Sequence, residues 1–184
     1  MSRIPIPATI ADAPEAAQPL LQAVEKQVGT VPNLFRIAAN SPAALQAYLG
    51  AEAAIAKGGI RPQTRERIAL AVAEVNGCDY CLSAHTYFGK TLAKLDDAEI
   101  TANRNGASND PKADAAVRLA AQIARGRGHV DAADVEAFKA AGYTDANVVE
   151  VVLLVALNSF TNFLNETVKT EIDFPVVTVR KAAA

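Results

Sequence analysis

Signals that start and stop helices recur along this chain at helix-length intervals, and nothing comparable marks strands. Ser41-Pro42 offers an N-cap followed by proline at the first helical position, and Pro62 and Pro111 open segments in the same way. Gly29, Gly58-Gly59, Asn76-Gly77, Gly126 and Gly142 close segments, because glycine accepts the left-handed conformation that ends a helix. Asp12-Ala-Pro-Glu15 reads as a capping box with Asp12 as N-cap, opening a helix to Val28, and Asp96-Asp-Ala-Glu99 reads as a second box. Further on, a helix is expected from Cys78 to Lys94, a polar loop from Asn103 to Asp110, and a short helix capped by Asp131. Thr144 caps the longest helix, 144–168, whose middle is apolar nearly all round and therefore belongs at the centre of the fold. The signals amount to about seven or eight helices. The expected architecture is all-α. The tail Ile172-Asp-Phe-Pro-Val-Val-Thr-Val is extended and β-rich in composition, expected to pack on the body or on a neighbouring subunit.

At 184 residues the chain fits one domain, 1–184, with an N-terminal arm to residue 13 and an extended tail from residue 169. Its 51% hydrophobic content rests mostly on alanine, with no tryptophan, which favours closely packed helices. A formal net charge of -2 without a basic block argues against a nucleic-acid surface. The N-terminus, Met-Ser-Arg-Ile-Pro-Ile-Pro, lacks the apolar core of a signal peptide. The most apolar run, Val148 to Leu157, is interrupted by Glu150 and is shorter than the ~20 residues a bilayer requires. A soluble cytoplasmic protein without membrane partners is expected.

The chemistry-bearing segment is Glu66 to His85. It holds both cysteines of the chain, Cys78 and Cys81, and one of its two histidines, His85. A helix turns about 100° per residue, so these three side chains fall along one stripe. The thiols can approach within disulfide reach, and Cys78 near a helix start meets backbone N–H groups that favour thiolate. His85, one turn beyond Cys81, is placed to accept the thiol proton directly or through water. In a reducing cytosol such a pair suits a reversible role better than a permanent staple. Rival readings stand beside this one. Two cysteines near a helix start can be simple core residues. Cys-x2-Cys-x3-His supplies three zinc ligands, but a structural site wants four and the other histidine, His129, sits in a glycine-bounded loop that reads as surface. Covalent haem would need histidine where Leu82 stands, and thioredoxin-like chemistry would need a βαβ context. Glu66, within Arg-Glu-Arg, reads locally as a helix-start acid, whereas Glu74 on an apolar helix must be paired if buried. Tyr80 points off the cysteine stripe, as packing or as a hydroxyl donor.

Glu66, eleven residues, Cys78-x-x-Cys81, three residues, His85 resembles the signature of AhpD-like alkylhydroperoxidases in the carboxymuconolactone decarboxylase superfamily. Val31-Pro-Asn-Leu-Phe, Asn40-Ser-Pro, Phe160-Thr-Asn-Phe-Leu-Asn and Glu171-Ile-Asp-Phe-Pro resemble its peroxidase-related subgroup, so the likeness covers most of residues 4 to 175. The resemblance implies an AhpD-like helical bundle that assembles as a homo-oligomer, often a trimer or hexamer. It implies Cys81 as the peroxidatic thiol, Cys78 as the resolving one, and His85 with Glu66 as the proton relay. The implied function is a thiol-dependent peroxidase or disulfide reductase acting on a peroxide substrate, reduced by a dithiol electron donor, protein or small molecule, with no metal or organic cofactor. Glu74 remains a possible supporting acid. Tyr80 stands where well-known members carry a histidine, which shortens the relay or replaces it with a hydroxyl donor. The decarboxylase branch lacks this CxxC, so lactone decarboxylation is disfavoured. A zinc-binding or structural oligomeric module and a redox sensor without efficient turnover are the alternatives.

Overall fold

The computed structural model describes residues 2–180. Among them nine α-helices follow in order: α1 Gln18–Val28, α2 Asn33–Ala38, α3 Pro42–Ile55, α4 Pro62–Asn76, α5 Asp79–Thr91, α6 Asp97–Arg104, α7 Pro111–Gly126, α8 Ala132–Ala140 and α9 Asp145–Val168. No strand occurs among the described residues, and the architecture is all-α. Most starts and stops fall where the caps place them. Ser41 Oγ accepts from Ala44 N at 3.3 Å, Asp110 caps α7 and Thr144 caps α9. The extended tail is present, but its residues 181–184, like Met1, lie outside the described residues.

Two expected capping boxes are built differently. Asp12 does not open a helix; its carboxylate accepts from Thr9 N at 2.9 Å and Thr9 Oγ1 at 2.8 Å, closing a single 3-10 turn, Ile10–Asp12. A second 3-10 turn, Glu15–Ala17, follows Pro14, and the α-helix starts only at Gln18. In the second box Asp96 Oδ1 does accept from Glu99 N at 2.7 Å, but the Glu99 carboxylate does not answer it. It turns inward to accept from Arg67 Nε at 2.6 Å, Ser108 Oγ at 2.5 Å, Asn103 Nδ2 at 2.9 Å and Asn109 N at 2.8 Å. Burial opposes the charged form, yet these donors prevail and hold the Glu99 carboxyl at about 2. The buried pair Arg67–Glu99 thereby ties α6 and the following loop to α4.

α4 lies at the centre, packing on α5, α6, α7 and α9. Ile68, Ala71 and Val72 of α4 meet Val117, Ala120 and Ala121 of α7 and Val151 and Leu154 of α9 in one buried cluster. The alanines allow close helix approach, and truncating a residue such as Ile68 here costs about 2–5 kcal/mol through lost burial plus the cavity. A second cluster gathers around the two cysteines with Leu70, Leu82, Leu95 and Ile100, and a third joins the N-terminal helices through Leu21, Val31 and Leu45.

α9 contacts α3, α4, α5, α7 and α8, but the expected central placement does not hold, because α4 takes the centre and one apolar face of α9 stays open. By length and composition it could cross a membrane, although part of its surface is buried in this bundle. It is not enclosed all round. Val149, Val152, Leu153, Phe160 and Phe163 recur at helical spacing and remain exposed, Val149 at 69% and Phe163 at 58%.

The tail packs on the body of its own chain and forms no strand. Phe174 stacks edge-on against Tyr80 and Phe88, Val177 N donates to Ser83 Oγ at 2.9 Å, and Val179 N donates to Asp79 Oδ1 at 2.8 Å. Arg104 Nη2 donates to Thr178 O at 2.8 Å. The tail is therefore a strap over the first turns of α5.

Candidate functional site

The site is built on the turn between α4 and α5. Gly77, at φ 73°, ends α4: Gly77 N donates to Glu74 O and Cys78 N donates to Ala73 O, the paired bonds of a Schellman motif. A side chain bearing a Cβ is disfavoured at that left-handed φ, so this glycine is needed for the reversal. Cys78 then serves twice. Its backbone closes α4, and its Sγ accepts from Cys81 N at 3.1 Å as the N-cap of α5. Cys78 and Cys81 are joined as a disulfide. Both are buried, at 0% and 3% exposure, among Leu70, Ala73 and Leu82 and beneath the strap.

His85 lies one turn beyond Cys81, and its Nδ1 is 3.0 Å from Glu66 Oε2 on α4. With Glu66 ionised, Nδ1 carries the hydrogen and Nε2 is the basic nitrogen. Burial favours the neutral ring, but the charge of Glu66, its hydrogen bond and then the charge of Glu52 outweigh it, so the His85 pKa is raised. In this disulfide state no hydrogen bond joins His85 to either sulfur among the described residues; Glu66 is its partner.

Glu52, which sequence reasoning passed over, belongs to the same electrostatic group. Burial raises its carboxyl pKa, His85 and Arg65 oppose the rise, and the like charge of Glu66 adds to it. Burial and then Glu52 raise the Tyr48 phenol in turn. One imidazole is thus hydrogen-bonded to one carboxyl and feels the charge of a second, a combination suited to managing a proton. The signal for Glu52 was present, since it is the sole charged residue of α3, whose other positions are mostly Ala, Leu and Gly.

The other sequence candidates lie outside this group. The Tyr80 hydroxyl turns away from the sulfurs; it donates to Asp173 Oδ1 at 2.8 Å and accepts from Leu34 N at 3.0 Å. Burial and the Asp173 charge push its phenol well above the usual range. Glu74 accepts from Arg104 Nε at 2.6 Å and from Arg180 N at 2.7 Å, so it anchors α6 and the strap. His129 is exposed beside Arg125, Asp131 and Asp134.

A residue from α9 completes the sulfur environment. Asn165 Nδ2 donates to Cys81 Sγ at 3.2 Å. One turn earlier Asn162 Oδ1 accepts from Asn76 Nδ2 at 2.9 Å, holding α9 against the end of α4. The disulfide, the Glu66–His85 pair and these amides together suit thiol chemistry with managed protons.

The sequence model of the Carboxymuconolactone decarboxylase family matches residues 40–122, a span from the start of α3 into α7 that includes the whole dithiol motif. No curated protein matches the chain in sequence. Among solved structures, an uncharacterized peroxidase-related protein with an alkylhydroperoxidase AhpD core from Ralstonia eutropha JMP134 superposes with a TM-score of 0.82 at 26% identity, over 94% of this chain and 92% of that one. An uncharacterized peroxidase-related protein from Silicibacter sp. TM1040 gives 0.78 at 22% identity, over 92% and 91%. The debrominase Bmp8 gives 0.74 at 22% identity, over 91% and 90%, a likeness of fold.

Proposed function

The chain belongs to the AhpD-like carboxymuconolactone decarboxylase superfamily, and from that premise we propose that it is a thiol-dependent peroxidase or disulfide reductase cycling between a dithiol and the Cys78–Cys81 disulfide. The observation that carries the reading is the disulfide at the α5 N-terminus, one turn before an imidazole held by a carboxylate.

In the peroxidase cycle the Cys81 thiolate attacks the terminal peroxide oxygen. The S–O bond forms, the O–O bond breaks, and the departing alkoxide takes a proton to leave as alcohol. Cys81 is then a sulfenic acid. The Cys78 sulfur attacks Cys81 Sγ, the S–O bond breaks, and the expelled oxygen leaves as water after protonation. A dithiol donor, protein or small molecule, returns two electrons and two protons by exchange. His85, oriented by Glu66, takes the thiol proton and later supplies one to the leaving oxygen. Backbone N–H donation from Cys81 at the helix start favours an anion on Cys78, the sulfur that attacks in the second step. A dithiol donor of this kind is maintained in the cytoplasm, which is the compartment the reading implies.

The exposed apolar stripe of α9 supports assembly as a homo-oligomer, because a monomer rarely leaves such a row uncovered, and the family resemblance makes a trimer or hexamer the proposed form.

Stopped-flow peroxide consumption with a dithiol reductant tests the catalytic reading. Cys81→Ser should abolish turnover; retention of the wild-type rate would overturn the proposal. Stoichiometric zinc held through both thiols, in protein purified without added metal, would overturn it in favour of a metal-binding module.

A further inference from the structure

The helix start favours Cys78 over Cys81. Its first-turn donor, Cys81 N, points at Cys78 Sγ at 3.1 Å, so the N-cap geometry stabilises charge on the first sulfur. Cys81 is buried within an apolar cluster, which by itself disfavours a thiolate. Ionisable groups on the surrounding turns are engaged elsewhere. Glu66 holds His85, Glu74 holds Arg104, Asp79 receives Val179 N, and Asp173 receives the Tyr80 hydroxyl. One protein side chain donates to Cys81 Sγ among the described residues, and it is Asn165.

Asn165 is a costly residue for its position. It is 2% exposed, its Oδ1 is buried without a partner, and the sulfur is the one acceptor of its Nδ2. Burying a carboxamide carries a penalty that good hydrogen bonds must offset. A disulfide sulfur is a weak acceptor and offsets little. A thiolate is a charged acceptor, and the same N–H···S contact becomes charge-assisted. The contact is also firmly placed. Asn76 clamps Asn162 one turn away, and Asn165 O accepts from Thr170 N at 3.0 Å where α9 ends.

We propose that the Asn165 carboxamide is the anion-stabilising group for the Cys81 thiolate, giving the second sulfur the donor that the helix start gives the first. The amide does not titrate, so it acts at every pH, independently of the protonation of His85 and Glu66. The inference rests on Cys81 being the reactive thiol and deepens that reading.

The test isolates Cys81 in a Cys78→Ser background, where serine retains an N-cap oxygen, and follows iodoacetamide alkylation of the reduced protein across pH. In Cys78→Ser/Asn165→Leu the midpoint should rise by about one unit, lowering the rate below the midpoint about tenfold while the alkaline limit stays unchanged. Cys78→Ser/Asn165→Asp, nearly isosteric, should raise it further by placing a carboxylate at the sulfur. An unshifted midpoint in both variants, or an equal loss of rate at every pH, would overturn the proposal. Peroxide turnover is not the readout. A shifted midpoint in a protein that consumes no peroxide sinks the peroxidase reading alone, and normal turnover with an unshifted midpoint sinks this inference alone.

Discussion

Replacing Tyr80 by phenylalanine separates the two roles that its position between the cysteines suggests. In the structure its hydroxyl donates to the Asp173 carboxylate at 2.8 Å and accepts from Leu34 N at 3.0 Å, joining α5 to the strap and to α2. A hydrogen bond to a charged group contributes about 1.5–3 kcal/mol and a neutral one about 0.5–1.5 kcal/mol. Asp173 keeps the Asn33 N bond at 2.9 Å and can recover water at the surface, so the lower part of the sum applies. Tyr80→Phe is therefore expected to cost about 2–3 kcal/mol. For a chain of this size that lowers Tm by about 4–12 °C. Urea unfolding and a thermal scan measure the loss. Alkylation and peroxide turnover, measured well below the transition, should stay within a factor of two or so of wild type, because the hydroxyl faces away from sulfur. Unchanged stability with a tenfold or greater loss of thiol reactivity would refute this and return Tyr80 to the proton relay.

Glu66→Gln removes the largest of the charges that raise the His85 pKa, so that pKa should fall in an NMR titration; an unchanged titration would show that the pair does not govern the ring. The raised folded-state value means the pair's stabilisation is full below the ordinary His value of about 6.5 and fades as pH rises through the folded value, so wild type and Glu66→Gln should converge in stability at alkaline pH. Phe163→Glu places a charge in the exposed stripe of α9 and should shift an oligomeric wild-type mass toward a single chain by light scattering; a wild type that is already monomeric refutes the assembly.

How far the sequence could be read depended on whether a feature is local. Gly77 and the Asn76-Gly77 stop are local, so the break before Cys78 was legible, and so were the caps Ser41 and Thr144. Glu99 was misread because its local role as a box partner lost to a distant one. Arg67 and the 103–109 loop offer a buried carboxylate more donors than its own N-cap does. Asp12 lost its helix because Ala13, the residue before Pro14, is held extended at ψ 156°. Glu52 and Asn165 reach the site from α3 and α9, far along the chain, so no spacing rule around the cysteines includes them. Asn158, Asn162 and Asn165 do carry a trace: three amides at i, i+4 and i+7, following the apolar middle of α9, mark a face that must meet something polar.

The Cys78–Cys81 bond closes a ring of very few residues, with a sequence separation of 3. Chain-entropy reasoning gives so small a ring about 2 kcal/mol, against about 5 for one spanning a hundred residues. That figure concerns the unfolded chain; in the folded chain the Schellman turn and the N-cap also hold these residues. Opening and closing it therefore changes electron count more than architecture. In the proposed cycle, two redox states of nearly one shape would suit repeated turnover, where each incoming reductant meets the same surface. They suit a shape-changing sensor poorly, because a bond this short has little leverage over the helices around it.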